Sequence, residues 1–197
     1  MSLYNTELSR GSLMTLESKR IATLLLRQPN EAAWTYAIEI ENILQKDTIT
    51  TARRQANLIR ARLTTLDLSG WQLIVQSESE IVQQLLLAAA LKQNKLLSDF
   101  MCNVYISRQK KLESCVLPSN WDEFLIECAH LDSSVSGWSP STKAKIFSHI
   151  VRILVEAKYL VDQKSMQLSP RSLHPVVRRY LSERHEKFII DCLERVT

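Results

Sequence analysis

Three glycines in 197 residues, with five prolines, leave this chain few places to turn sharply or to run as flexible loop. Leu, Ile, Ala, Arg, Lys, Glu and Gln are abundant instead, and all of these but the β-branched Ile lose little freedom in a helix. The fold expected is all-α, with many helices and short connections. The same scarcity of glycine removes most phosphate-cradling loops, and neither a GxGxxG nor a GxxxxGK[ST] run is present. The length is enough to bury a core without disulfide staples.

Start and stop signals divide the chain into successive helices. The first runs from about Leu16 to Arg27, ahead of Pro29, and Asn30 then caps a second from Glu31 to Gln45. A third spans about Thr51 to Leu66, and Leu68 to Val75 forms a short helical connector. Ser77 and Glu80 make a capping-box pattern before the very apolar Ile81 to Leu91, which belongs at the centre of the core. Asn94 to Lys111 follows. Asn120 and Glu123 repeat the capping signature before Trp121 to Leu131, and Pro175 to Val196 reads as one or two helices. The organisation expected is a helical bundle over residues 1–115 and a second, C-terminal region over 116–197.

Within that second region, Trp138 to Ser169 carries the chemistry of most interest. Ser139 can cap, Pro140 suits a first helical turn, and Ser141 and Thr142 follow. At 100° per residue, Ser141, Thr142, Lys145, Ser148, His149, Arg152 and Glu156 share one arc, while Ile146, Phe147, Ile150, Ile153, Leu154 and Ala157 lie opposite. Tyr159-Leu160-Val161 is β-prone, Asp162 to Ser165 is turn-like, and Met166-Gln167-Leu168 alternates before Ser169-Pro170. A helix with one basic face followed by a short β-hairpin is the outline of a winged-helix DNA reader. No acidic residue lies between Asp132 and Glu156, so phosphates would approach the helix start and Lys143 without local repulsion. The plain alternative is an amphipathic core helix with a solvated polar face.

Charge is distributed unevenly. Residues 1–70 hold nine basic and seven acidic side chains, 71–135 five and eight, and 136–197 eleven and six, giving balances of +2, −3 and +5. That asymmetry favours a polyanionic partner at the two ends. A second basic locus, TARRQANLIRARL in the third helix, brings Arg53, Arg54, Arg60 and Arg62 together with no acid from Thr48 through Leu66. Ala52, Ala56, Ile59 and Leu63 are its expected buried stripe, which leaves the four arginines on the wet half, suited to bidentate phosphate contacts. The alternative is that they pair with acids of neighbouring helices. Arg171, Arg178, Arg179, Arg184 and Lys187, interspersed with Glu183 and Glu186, give secondary support for a basic surface near the hairpin, with a surface ion-pair network as the default reading.

Catalytic and metal signatures are weak. His130, His149, His174 and His185 form no HExxH, and Cys102, Cys115, Cys128 and Cys192 form no CxxC; the cysteines read as reduced core residues of a cytoplasmic protein. Glu156-Ala157-Lys158 matches a fragment of metal-dependent nucleases but lacks clustered carboxylates. No cofactor, metal or small-molecule substrate is expected. The longest apolar stretch, Ile81 to Leu91, is about half the ~20 residues a membrane span needs, and the N-terminus lacks the order of a signal peptide.

Three segments, RGSLM, LQKDTITTARRQANLIRARL and WSPSTKAKIFSHIVRILVEAKYLV, together resemble the BrxA family of bacterial BREX (bacteriophage exclusion) defence systems, and the likeness covers most of the chain. The resemblance implies an all-helical cytosolic protein, partly NusB-like, with helix-turn-helix-like elements and no enzymatic activity. It also implies binding of double-stranded DNA, with other BREX proteins as partners. On the matching segments it points to Arg53, Arg54, Arg60, Lys143, Lys145 and Arg152; Arg62, Ser141, Thr142, His149 and the turn residue Lys164 complete the candidate contacts. Two rival readings are a NusB-like RNA binder that uses the arginine helix and a protein–protein adaptor within the defence complex.

Overall fold

A computed structural model describes residues 2–194 of the chain, and their regular structure is helical. Val196, the expected end of the last helix, lies outside the described residues. Contacts group the chain into two units, residues 13–93 and residues 2–12 with 94–194.

The first unit holds five helices: α1 (Thr15–Leu26), α2 (Glu31–Thr35), α3 (Ile49–Leu63), α4 (Leu68–Gln76) and α5 (Ser79–Gln93). Side chains start three of them: Asn30 accepts from the Ala33 N–H at 2.8 Å, Thr48 from Thr51 at 3.2 Å and Asp67 from Gly70 at 3.0 Å. Helix α5 buries Val82 and every residue from Gln84 to Leu91, and α1, α3 and α4 pack against it. A helix apolar on all sides must be enclosed, as the run Ile81 to Leu91 implied. The second helix is shorter than expected. It passes through a π turn at Tyr36–Ile40 and stops, because the Asn42 side chain donates to the Lys46 carbonyl at 2.9 Å and accepts from the Lys46 N–H at 3.0 Å. Those local bonds give the backbone an alternative to helix, and Asn42 and Gln45 adopt φ of 47° and 54°.

The second unit contains α6 (Lys95–Phe100), a π segment (Met101–Ile106), α7 (Ser107–Lys110), α8 (Pro118–Leu131), α9 (Pro140–Glu156), α10 (Pro175–Glu183) and α11 (Lys187–Leu193). Residues 94–110 belong here rather than with the N-terminal helices, so the grouping differs from a division near residue 115. The reason is an aromatic cluster: Phe100 of α6 lies 6.0 Å from Trp121, 5.5 Å from Phe124 and 6.3 Å from Phe147, and Trp121 stacks on Phe147 at 5.4 Å. Residues 2–12 join it through Tyr4, whose hydroxyl donates to Asp99 at 2.8 Å and whose N–H donates to Asp132 at 3.0 Å. Backbone and side-chain donors from Tyr4, Ser2 and Ser134 hold the Asp132 carboxyl well below the usual carboxylate range.

The expected reduced state of all four cysteines is corrected for two of them. Cys102, in the π segment, is disulfide-bonded to Cys192 on α11, with the Cα atoms 5.0 Å apart; Cys115 and Cys128 are free. Burial pushes the Cys128 thiol up to about 11, as an enclosed thiol requires.

Candidate nucleic-acid interface

Helix α9 starts as its sequence dictates. The Ser139 hydroxyl accepts from the Thr142 N–H at 3.1 Å and lies 2.9 Å from the hydroxyls of both Ser141 and Thr142, with Pro140 in the first turn. The Thr142 amide is therefore engaged within the cap, while the Lys143 side chain stands at the same end of the helix. Ile146, Ile150, Val151, Ile153 and Leu154 are buried, and Phe147 is half-buried in the aromatic cluster. The polar arc carries exposed Lys145, half-exposed Lys143 and exposed Arg152. Neither lysine forms an ion pair among the described residues, while Arg152 contacts Glu156 one turn on at 3.2 Å. His149 is half-buried with its Nδ1 enclosed, so it sits at the edge of the exposed arc rather than on its crest.

After α9 the chain reverses. Lys158 takes φ 66°, Leu160 and Leu168 form an antiparallel bridge, the Val161 N–H donates to Gln167 at 2.9 Å and the Ser169 N–H to Tyr159 at 2.9 Å. Two extended strands do not develop; the pairing is a pair of isolated bridges. The second bridge, Cys115 with Gln167, brings in a third segment, as the Val116 N–H donates to Met166 at 3.0 Å and the Leu168 N–H to Ser114 at 2.8 Å. At the tip, Asp162 accepts from the N–H groups of Lys164 and Ser165 at 2.8 and 2.9 Å and from the Ser165 hydroxyl at 2.6 Å. Those bonds, Ser165 foremost, hold its carboxyl below the usual carboxylate range and fix the turn that presents exposed Lys164.

Helix α3 is different. Arg53 makes a two-pronged ion pair with Glu39, which pulls the Glu39 carboxyl down and the guanidinium up. Arg60 lies over the Trp34 ring at 4.5 Å and reaches Glu31 at 3.5 Å. Arg62, expected on the wet half, is corrected to a core position: it is only 4% exposed, because Leu58 also turns inward and the buried stripe is wider than Ala52, Ala56, Ile59 and Leu63. Arg54 alone of the four is exposed with no ion pair among the described residues. The alternative reading of this helix, arginines answered by acids of a neighbour, describes Arg53 and Arg60. Near the C-terminus the same holds, with Arg178 paired to Glu194 and Arg184 lying 3.8 Å over Tyr180 and 3.6 Å from Glu183.

The candidate contacts thus fall in both units: Ser141, Thr142, Lys143, Lys145, His149, Arg152 and Lys164 in the second, and Arg53, Arg54, Arg60 and Arg62 in the first. Sequence reasoning missed the roles of Asp162, Glu31 and Glu39. The Asp-x-x-Ser spacing is a legible signal for the first, whereas nothing local marks which helix would face α3. Among the described residues, no three His, Cys, Asp or Glu side chains are grouped to hold a metal, and no helix is long and apolar enough to cross a membrane.

The family model for BrxA matches residues 2–185. A BREX protein BrxA of Paramagnetospirillum magneticum is 35% identical over 97% of this chain and 96% of its own length. A BREX protein BrxA of Escherichia coli is 33% identical over 95% and 88%. The crystal structure of an uncharacterized protein from Magnetospirillum magneticum superposes with a TM-score of 0.90 at 34% identity, covering 98% of both chains.

Proposed function

This chain belongs to the BrxA family, and from that premise we propose that it is a non-enzymatic DNA-binding accessory protein of a BREX-type phage-defence system, holding duplex DNA largely through its phosphates. The observation that carries this reading is the exposed arc of α9. Lys143 and Lys145 stand there without ion-pair partners among the described residues, and no carboxylate occurs in the sequence between Asp132 and Glu156. In this reading α9 acts as a recognition helix and the reversal behind it as a small wing. Ser141, Thr142 and Lys143 meet phosphate at the helix start, Lys145 and Arg152 face the groove with His149 at its edge, and Lys164 touches the neighbouring backbone. Arg152 can exchange Glu156 for a phosphate at little cost, since an exposed i,i+4 pair contributes only a few tenths of a kcal/mol. On α3, Arg54 is the cation still open to a polyanion. Other proteins of the defence system are the expected protein partners.

The test is anisotropy of labelled duplex DNA, single-stranded DNA and RNA across a salt series. Duplex binding that weakens steeply with salt supports the reading, because phosphate neutralisation releases counterions. A preference for single-stranded RNA that is lost in Arg53→Ala with Arg54→Ala would move the site to α3. Absence of binding to any of the three at low salt would leave a protein adaptor.

A further inference from the structure

The last helix of the second unit is fastened at three points. Cys192 is bonded to Cys102 of the π segment across 90 residues of sequence. The Leu193 carbonyl accepts the Tyr159 hydroxyl at 2.8 Å, and Glu194 pairs with Arg178 of α10. Tyr159 is the first link onward to the reversal. Its carbonyl accepts the Tyr105 hydroxyl at 2.8 Å and the Ser169 N–H at 2.9 Å, and its ring packs edge-on against Tyr105 at 5.6 Å. A path of one covalent bond and two hydrogen bonds therefore runs from the disulfide, through α11 and Tyr159, to Ser169 at the end of the reversal that carries the Lys164 turn, with the Tyr105 hydroxyl joining at Tyr159 from the π segment.

Access to the two sulfurs is unequal. Cys192 is buried and Cys102 is half-exposed, so the Cys102 side is the more open approach for an external thiolate. We propose that Cys102–Cys192 is a redox-operated tether: oxidised, it clamps α11 to the π segment and steadies the reversal behind α9; reduced, it lets α11 loosen. A dithiol reductant supplies the two electrons. Its first thiolate attacks the Cys102 sulfur, the sulfur–sulfur bond breaks, and Cys192 leaves as a thiolate that takes up a proton. The reductant's second thiol then attacks the mixed disulfide, releasing Cys102 as a thiolate that is protonated in turn, and the reductant departs as its own disulfide. Oxidation reverses the steps with a disulfide such as oxidised glutathione as acceptor. The consequence for nucleic acid rests on the DNA-binding reading; the tether itself does not.

Two measurements on the full chain test it. After incubation with oxidised glutathione and removal of the excess, denatured protein should expose two alkylatable thiols, Cys115 and Cys128, and four after dithiothreitol; adducts of glutathione itself are distinguished by mass. Hydrogen exchange should then show amides of 187–193 and 159–169 opening about tenfold faster or more in the reduced form, with 15–63 unchanged. Cys102→Ser should exchange at the reduced rates whatever the redox state, and Cys115→Ser should still respond. Four reactive thiols after oxidation, or exchange at 187–193 that is the same with and without reductant, would overturn the proposal. Neither readout involves DNA, so failure of the DNA-binding reading would be seen separately.

Discussion

Helices α3 and α9 both concentrate positive charge, and they meet different fates on folding. Three of the four cations of α3 are paired or withdrawn from solvent: Arg53 pairs with Glu39, Arg60 lies over Trp34 and reaches Glu31, and Arg62 is buried, which leaves Arg54 exposed. Those of α9 are more open: among the described residues Lys143 and Lys145 form no ion pair, and Arg152 pairs with the half-buried Glu156 of its own helix. A count of arginines and lysines would rank α3 as the stronger polyanion site. What decides is which cations remain uncompensated once neighbouring helices have packed, since a paired guanidinium must give up its partner before it can take a phosphate.

The comparison can be broken most directly on α9. Lys145→Glu with Arg152→Glu should lower duplex affinity about a hundredfold or more at fixed salt, with an unchanged circular-dichroism spectrum, because two cations on an exposed arc become two anions. Unchanged affinity in the folded double variant would discard α9 as the contact surface. A smaller loss, about fivefold, is expected from Asp162→Ala, which removes three hydrogen bonds that shape the Lys164 turn without touching a cation. Asp162→Asn, which keeps an acceptor for the two N–H groups, should recover most of that loss in the same binding assay. On α3, Arg53→Ala with Arg54→Ala should change duplex affinity by only about twofold, the contribution of Arg54; a loss as large as that of the α9 pair would erase the distinction.

The smallest effect concerns the pairing on α3 itself. The Arg53 hydrogen bond lowers the Glu39 carboxyl below its ordinary value, so the pair contributes fully above the unfolded-state value of Glu and is lost as pH falls through the lowered folded one. A carbon-detected titration of Glu39 should therefore have its midpoint below that of exposed glutamates, and Arg53→Ala should return it to their range. A midpoint unmoved by that substitution would mean that Arg53 is free in solution.

Much of this was readable before folding. Helix starts at Asn30, Ser139 and Pro140, the enclosure of Ile81 to Leu91 and the two faces of α9 are local or periodic properties, and the structure carries them. The family was legible as well, through three segments spread over most of the chain. What escaped was non-local. Whether Arg53 faces Glu39, whether Leu58 turns inward and takes Arg62 with it, and whether Cys102 meets Cys192 depend on packing between segments 14 to 90 residues apart. The early end of α2 was missed for a different reason: the Asn42 side chain closes its own loop onto Lys46, and an apolar pattern running on to Leu44 hides that competition. The hairpin was legible as a reversal but not as a pair of bridges, because the third segment at Ser114–Val116 comes from far back in the chain.

Hydrogen exchange of the intact protein with and without a saturating duplex oligonucleotide tests the central claim in one experiment, because it reports α3 and α9 side by side. Slower exchange is expected over residues 139–168, covering α9 and the Lys164 turn, with residues 49–63 little changed. Protection confined to 49–63, or none at all over 139–168 under conditions where the duplex is bound, would contradict it.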